Sequence, residues 1–380
     1  MSNLYGLTEA TFADRDPAKI ASAIISGYEA AYYKGTNERI TLAVADPRRL
    51  FLLSIAAVIV QQRNLIDYTG KQNLLAYADD GFLDHLGILV GVPRLDASAA
   101  STTIRFTLSK TAPGVTIIPA GTRVTPGGEI LYFATTENLE IPAGNLFGDV
   151  PATCLVAGKI GNGFLPEQID RLVDPLSYIQ SVANTTLSEG GADVEDKEHY
   201  RDRIHLAPEA YSNAGSRGAY EFWAKSASSL IVDVGVDSPS PGVVNLYPLL
   251  EGGEIPGEEM LEKVLAKCND DTVRPMTDDV YALSPEVASY ELHATWYLDR
   301  ANATSALAIE TAVNKAAADW VLWQKSKLGR DINPDELTKR AVSAGAKRIV
   351  IESPEFRALG FNELAVAENV VLAFGGMEDA

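Results

Sequence analysis

The chain has 380 residues, of which 46% are hydrophobic and 22% are charged. That length is enough for two to four domains of roughly 100–200 residues each. Lys and Arg total 32 against 51 Asp and Glu, which gives a formal net charge of −19. Because this surplus repels phosphate backbones and anionic headgroups, we expect neither nucleic acid nor a membrane surface as a partner. The cysteines, Cys154 and Cys268, lack metal-type spacing, so neither a disulfide framework nor a zinc site is predicted.

The first ninety residues have the patterns of helices. The Asp-Pro pairs at 16–17 and 46–47 place an Asp at an N-cap and a Pro at the first helical position. The two helices that follow are expected to end at Gly35 and Gly70, which suit a left-handed C′ position. Residues 1–5 lack a basic region followed by an apolar one, so no export signal is predicted.

An apolar run at residues 50–60 lies within the second of these helices and covers every helical face. About 20 apolar residues are needed to span a bilayer, so the run is too short and is expected to be buried in protein. Either the chain's own helices surround it, or another subunit supplies part of the cover. One stripe has the 3-4-3-4 spacing of a helix–helix seam, with a register-setting polar residue at its end. The residues of this candidate partner interface are Leu50, Leu53, Ala57, Val60 and Asn64.

Beyond residue 100 the pattern changes to short alternating runs between Pro and Gly turns, which predicts a β domain. Within it, Ile-Pro-Ala-Gly at 118–121 recurs at 141–144, as in two similar strand–turn units of a sandwich or barrel. The later strands and helices form segregated sets, which favours α+β over a doubly wound sheet.

The predicted fold class is therefore an α+β multidomain protein with N-terminal helices, a β-sandwich or barrel-like domain, and two small α+β domains. The predicted divisions are an N-terminal helical region at 1–98, a β-rich domain at 99–186, an α+β domain at 187–285 and a C-terminal α+β domain at 286–380.

One acidic segment has the residue types of an enzyme site, because carboxylates and imidazoles together can bind a divalent metal or transfer protons. Its residues are Asp193, Glu195, Asp196, Glu198, His199 and His205. No dense ligand spacing such as His-Glu-x-x-His is present, and acidic residues also complement the start of a helix dipole. We therefore expect a solvated loop that enters a helix, with no catalytic, cofactor or metal site.

Two other patterns that superficially suggest chemistry have simpler interpretations. The Gly-rich segment 158–163 lacks the order of a phosphate-binding loop, so a turn is predicted there. Ser216 lies in Gly-Ser-Arg-Gly, which has the wrong order for a nucleophile elbow, and it is expected to cap a helix instead. A metal-dependent hydrolase that uses Asp193, Glu195 and His199 stays open as an alternative, as does a tail fibre or adhesin module built on the β domain.

Several segments between residues 80 and 285 together resemble the baseplate J-like family of contractile-tailed phages and related contractile injection systems. The segments that carry the resemblance are Gly81 to Gly87 with Gly91-Val92-Pro93-Arg94, the two Ile-Pro-Ala-Gly units, Phe133-Ala134-Thr135, Gly158 with Gly161-Asn162, Gly190-Gly191-Ala192-Asp193-Val194-Glu195, Gly218 to Ala224, Pro241 to Val244, and Arg274 to Asp278. The order of these segments, more than any one of them, makes the resemblance specific.

The resemblance implies a structural subunit of a tail baseplate wedge, located in the virion and assembled in the host cytoplasm. It implies pairing with a second copy and with a smaller wedge protein to form a ring around the central hub and spike, with further contacts to hub, spike or sheath-proximal proteins. It implies no enzymatic activity and no cofactor. Its shared residues are then architectural: Gly121, Gly144 and Gly161 permit turns, and Tyr220 and Trp223 pack a helix on its sheet.

Overall fold

A computed structural model describes residues 6–127, 131–211 and 215–379. Residues 1–5, on which the export-signal prediction rests, lie outside the described residues. The chain divides into a first unit that ends at Pro93 and a second unit that begins at Arg94. The α+β fold class, with N-terminal helices followed by sheets, is confirmed.

The first unit contains α1 (Pro17–Thr36), α2 (Pro47–Lys71) and α3 (Asp80–Leu89). Both predicted N-caps are confirmed, because the Asp16 and Asp46 carboxylates accept hydrogen bonds from the first free amides of α1 and α2. The predicted ends are wrong. Asn37 supplies the left-handed cap after α1, and α2 continues through Gly70 to Lys71. Gly70 serves close packing instead, since a Cβ there would lie 2.5 Å from the Phe12 ring.

The second unit begins with a β-rich region whose six-stranded sheet, in the described residues, is nearly closed into a barrel with the order β7-β3-β4-β6-β1-β8. The region's strands are β1 (Ala99–Leu108), β2 (Thr116–Ile118), β3 (Arg123–Thr125), β4 (Phe133–Thr135), β5 (Leu139–Ile141), β6 (Phe147–Ala157), β7 (Arg171–Leu172) and β8 (Ile179–Asn184). Strand β1 alternates buried and half-buried residues, as a barrel strand must. Asn184, at the end of β8, exchanges hydrogen bonds with Ile169 just before β7, which links the two outer strands.

The repeated Ile-Pro-Ala-Gly units lie at the ends of a small separate sheet. Strands β2 and β5 pair antiparallel, with Ile118 opposite Leu139 and Thr116 opposite Ile141. Gly121 and Gly144 follow these strands with φ of +81° and +86°, a conformation that residues with a Cβ rarely adopt. Both predicted turn glycines are therefore confirmed.

The central part of the second unit has a three-stranded sheet in the order β11-β10-β9. Its elements are α4 (Lys197–Leu206), α5 (Arg217–Lys225), β9 (Ile231–Asp237), β10 (Val243–Leu250), α6 (Glu258–Cys268) and β11 (Asp279–Ala282). Ser216 caps α5 by accepting the Ala219 amide, as predicted. Tyr220 is buried against the sheet and Trp223 packs at the rim of the same core, which confirms their packing role.

The last part has a second three-stranded sheet in the order β13-β12-β14. Its elements are β12 (Glu286–Asp299), α7 (Ala306–Lys325), α8 (Pro334–Ser343), β13 (Arg348–Ser353) and β14 (Glu363–Glu378). Residues of α7 and α8 cover one face of this sheet, where Trp320 packs on Tyr290. On the other face, Leu364 packs against Leu249 and Leu328 and so joins this sheet to the central one. The boundaries between the four predicted domains stay predictions.

Candidate functional site

Helix α2 buries little of its apolar surface within the described chain. Leu52 and Ala56 are its buried apolar residues, and α1 packs against it. Leu50, Phe51 and Val58 are 56%, 65% and 53% exposed. Within the described residues, the chain's own helices therefore leave most of the apolar surface of α2 uncovered.

The predicted interface stripe lies on the open side of α2. Leu50, Leu53, Ala57 and Asn64 are exposed, and Val60 is half-buried. Phe51, Ile55, Val58, Leu65 and Ile66 are also exposed, on other sides of the helix, and we call them together with the predicted stripe the α2 face. Exposed apolar surface of this extent marks an interaction site more often than a free surface. That a partner covers it stays a prediction.

The C-terminal end of α2 is held by a buried carboxylate that the sequence analysis missed. Asp67 is 2% exposed and accepts the Phe12 amide at 2.9 Å. It also pairs with Lys71 Nζ at 3.1 Å and Arg15 Nη1 at 3.2 Å. The Phe12 hydrogen bond lowers the pKa of Asp67 most, and the two cations add to this against the opposing effect of burial. The spacing of Asp67 and Lys71, four residues apart, was the available signal.

By length and composition, α2 is also the helix among the described residues that could cross a membrane, and 11% of its most apolar stretch is buried. The sequence estimate considered the run at 50–60 alone, whereas the helix has 25 residues. Its C-terminal half is engaged by protein polar groups, since Arg63 donates to the Asp14 carbonyl and Asp67 is ion-paired. These contacts show that the side of α2 that carries Arg63 and Asp67 is covered by protein.

The acidic segment forms a buried ionic cluster instead of a solvated loop. The Glu195 side chain is 0% exposed and lies 2.5 Å from His199 Nδ1 and 2.7 Å from Arg203 Nη1. The Leu95 amide donates to the same carboxylate, and Arg94 donates to the Glu195 backbone carbonyl. Burial by itself would raise the pKa of Glu195. The His199 hydrogen bond, the Arg203 charge and the Leu95 amide outweigh it, so the pKa lies below its usual range.

Both ring nitrogens of His199 have an oxygen within hydrogen-bond distance. Its Nδ1 faces the Glu195 carboxylate at 2.5 Å, and its Nε2 lies 2.6 Å from the Ile231 backbone carbonyl. Each of these oxygens can accept a hydrogen bond from the ring. With Glu195 and Arg203, His199 thus ties the segment before β1, helix α4 and strand β9 together. The arrangement has the character of a structural junction.

The other residues of the acidic segment also have structural partners. Asp196 caps α4 by accepting the amides of Glu198 and His199, and Glu198 pairs with Arg201 at 2.6 Å. Asp193 accepts the Lys159 amide at 3.1 Å. His205 lies in the last turn of α4. Within residues 6–127, 131–211 and 215–379, no three His, Cys, Asp or Glu side chains come together in a way that could hold a metal ion.

The Gly-rich segment 158–163 is a turn, as predicted, and it fixes the start of the acidic loop. The Asn162 side chain donates to the Gly191 carbonyl at 2.7 Å and accepts the Gly191 amide at 2.9 Å. A Cβ at Gly191 would lie 2.5 Å from the Gly158 carbonyl oxygen. Gly161 has no positive φ but packs against Ala100, where a Cβ would come within 2.9 Å. Its predicted turn role is therefore replaced by a close-packing role.

The chain is similar to known protein families and to individual proteins. It matches the family models of the baseplate J-like protein barrel domain at residues 103–191, the central domain at 212–284 and the C-terminal domain at 290–373. Baseplate protein J of Escherichia phage P2 is 31% identical over 172 residues, which cover 45% of this chain and 56% of that protein. The match thus spans little more than half the length of this relative.

A solved structure of the anti-feeding prophage (AFP) baseplate, determined by cryo-EM with six-fold symmetrisation, contains a chain that aligns with 93% of this one. The alignment covers 90% of that chain at 11% identity, with a TM-score of 0.43. The three family-model matches together cover more than half of the chain and follow the barrel, the central sheet and the last sheet in order. The chain belongs to the baseplate J-like family.

Proposed function

We propose that this chain is a structural subunit of the tail baseplate in a contractile-tailed phage or a related contractile injection system. In this role it resides in the virion tail, after assembly in the host cytoplasm. Membership of the baseplate J-like family supports the proposal. The observation that carries it beyond family membership is the α2 face, because an isolated soluble chain would not keep so much apolar surface exposed.

The finer part of the proposal concerns the wedge. A ring-building subunit needs at least two different surfaces, one for each neighbour. We assign the α2 face to a helical partner within a wedge, either a second copy or the smaller wedge protein. Leu50, Leu53, Ala57 and Val60 would form the apolar seam, and Asn64 would fix its register. Hub, spike or sheath-proximal proteins then contact other parts of the chain.

The role requires no chemistry from the acidic segment. Glu195, His199 and Arg203 satisfy one another in a buried cluster, and the Glu195 carboxylate has no open side toward solvent. A hydrolase would need such a group to face a substrate. We therefore propose a non-enzymatic function.

Imaging of purified tail particles tests the role directly. A particle that carries a tagged version of this chain is expected to show the tag at the baseplate, in the symmetry of the ring. A tag found along the tail tube, or absent from complete particles, would overturn the proposal.

Cysteine labelling tests the α2 face. Leu53→Cys introduces a thiol on the exposed stripe, whereas the natural Cys154 and Cys268 are buried. We expect a maleimide reagent to label this variant rapidly as a free chain and poorly in assembled particles. Leu307→Cys is a matched control on the first turn of α7, at a residue that is 77% exposed. Equal labelling of Leu53→Cys in both states would show that assembly leaves the α2 face open.

A further inference from the structure

Strand β14 has one paired edge and one open edge. It pairs in parallel with β12, and in the described part of the chain no strand pairs with its other edge. The ladder with β12 is interrupted between Tyr290 and Glu291 and again between Trp296 and Leu298. The residues at 369–374 lie between these two irregularities and run in continuous register. This stretch is therefore an open edge in continuous register with β12.

The sequence of this stretch is Asn-Val-Val-Leu-Ala-Phe, which carries no charge, no Pro and no Gly. Val370, Val371 and Phe374 are 47%, 43% and 47% exposed. Proteins usually protect such edges with charges, bulges or a covering element, because an apolar open edge pairs with other strands. Here the bulges flank the stretch without interrupting it. The stretch itself carries none of these protective features.

We propose that the 369–374 edge of β14 pairs antiparallel with the same edge of a second copy of this chain. The two-fold axis passes at Leu372, so that the two three-stranded sheets form one continuous sheet. In this register Val370 lies opposite Phe374 of the second copy, and Val371 lies opposite Ala373. A pair of an aromatic and a β-branched residue directly opposite each other is among the favourable cross-strand pairs.

The side chains of β14 favour this register over its two neighbours. Its charged residues are Glu363, Glu368 and Glu378, all negative. With the axis at Leu372, Glu368 lies opposite Gly376 and no two carboxylates face each other. An axis at Ala373 would put Glu368 opposite Glu378, and an axis at Val371 would put Glu368 opposite Phe374. Like charges directly opposite are destabilising, which disfavours the axis at Ala373. The axis at Val371 loses the Val370–Phe374 pair, because a carboxylate then faces the aromatic ring, so the axis at Leu372 is the favoured one.

This inference rests on the proposed function only in requiring more than one copy in the assembly. It adds a self-association surface in the second unit, distinct from the α2 face. Its failure would leave the baseplate role intact, because that role is tested by the position of the chain in the particle. Conversely, the edge could pair as proposed in a chain that is absent from baseplates.

Disulfide trapping measures both the pairing and its register. Residues directly opposite in an antiparallel pair have Cα atoms about 4.5–5.5 Å apart, which suits a disulfide, whereas diagonal neighbours are about 7–8 Å apart. We expect a mixture of the Val371→Cys and Ala373→Cys full-length chains to form a covalent dimer on mild oxidation. Each variant alone should give little dimer, because identical residues lie diagonal to each other in this register.

Each alternative outcome is decisive. Dimer from Val371→Cys alone, or from Ala373→Cys alone, would place the axis elsewhere and overturn the register. No dimer in any combination, with native-like circular dichroism of both variants, would overturn the edge pairing and point to a different strand as occupant. A mixture of Val350→Cys and Ala373→Cys is the matched control, since Val350 lies on β13 at the far edge of the sheet and should not cross-link.

A charge variant gives an independent measurement without cysteine. Val371→Asp places a carboxylate on each side of the axis, so sedimentation analysis should show loss of the dimer at concentrations where the unmodified chain forms it. Val350→Asp, at a residue that is 41% exposed on the other edge strand, should leave the dimer unchanged. Equal dimer formation by both variants would contradict the proposal.

Discussion

Helix α2 and the segment around Glu195 distribute polarity in opposite ways. The helix keeps large apolar side chains such as Phe51 on its outside while it buries a carboxylate, Asp67. The Glu195 segment buries a carboxylate against the Arg203 guanidinium and the His199 imidazole. The cluster around Glu195 is complete within the chain, because each charge has a partner. The α2 face is incomplete, because its apolar surface has none within the described residues. This difference distinguishes a structural junction from an interaction surface.

The largest expected effect comes from opening the completed cluster. Glu195→Ala removes the buried carboxylate that pairs with Arg203, and breaking a buried pair in this way costs about 3–5 kcal/mol. Chemical denaturation of the second unit should show this loss. Asp149→Ala removes the carboxylate of an exposed ion pair with Arg105 and should change stability little. A loss for Glu195→Ala no larger than for Asp149→Ala would mean that the cluster does not hold the fold.

Two nearby leucines of α2 allow its buried side and its exposed side to be tested separately. Leu52 is 9% exposed and Leu50 is 56% exposed. Leu52→Ala should destabilise the first unit by about 2–4 kcal/mol, the usual cost of removing a buried leucine side chain. Leu50→Ala should stay within about 0.5 kcal/mol, as for other surface changes. Thermal unfolding of the free chain measures both. Equal costs would show that Leu50 is also covered within the free chain.

A smaller effect is expected from pH. The pKa of Glu195 lies below its usual range in the folded chain, because the effects of His199, Arg203 and the Leu95 amide outweigh the effect of burial. A carboxyl group with a lowered pKa contributes stability that is present above its unfolded value and is lost as the pH falls through its folded value.

Glu195→Gln removes this titration while it keeps the size of the side chain. The variant should be less stable than the natural chain at neutral pH. The difference in unfolding free energy between the two chains should become smaller as the pH is lowered into the acid range. Stability curves of both chains over that range give the comparison. A stability difference that is the same at every pH would mean that the pKa of Glu195 is the same in the folded and unfolded states.

Local features of the fold could be predicted from the sequence. The caps at Asp16, Asp46 and Ser216 depend on a few adjacent residues, and all three are present. The β-rich region after residue 100 could be predicted because apolar and polar residues alternate along its strands. The helix ends were harder to predict. Asn37 takes the place of the expected glycine cap of α1, and Gly70 packs against Phe12 instead of capping α2.

The candidate sites depended on distant partners, so the sequence could not define them. Glu195 is buried because Leu95 and Arg203 surround it and because His199 reaches Ile231 on another strand. The spacing of residues within the acidic segment does not indicate those contacts. Exposure of Leu53 likewise depends on how few helices the first unit supplies. The 3-4-3-4 stripe identified which residues share a face, whereas its exposure became visible only in the folded chain.

The central claim is that the α2 face is covered by a partner during assembly and not by this chain. Leu53→Asp tests it most directly, because Leu53 is 37% exposed in the free chain and an unpaired carboxylate in a closed apolar seam is strongly unfavourable. The measurement is incorporation into purified tail particles, with Leu307→Asp as the matched control at the start of α7. We predict that Leu53→Asp folds with near-normal circular dichroism and fails to enter baseplates, while Leu307→Asp enters normally. Normal incorporation of Leu53→Asp would contradict the account, and so would unfolding of the free variant, since Leu53 would then belong to an internal core.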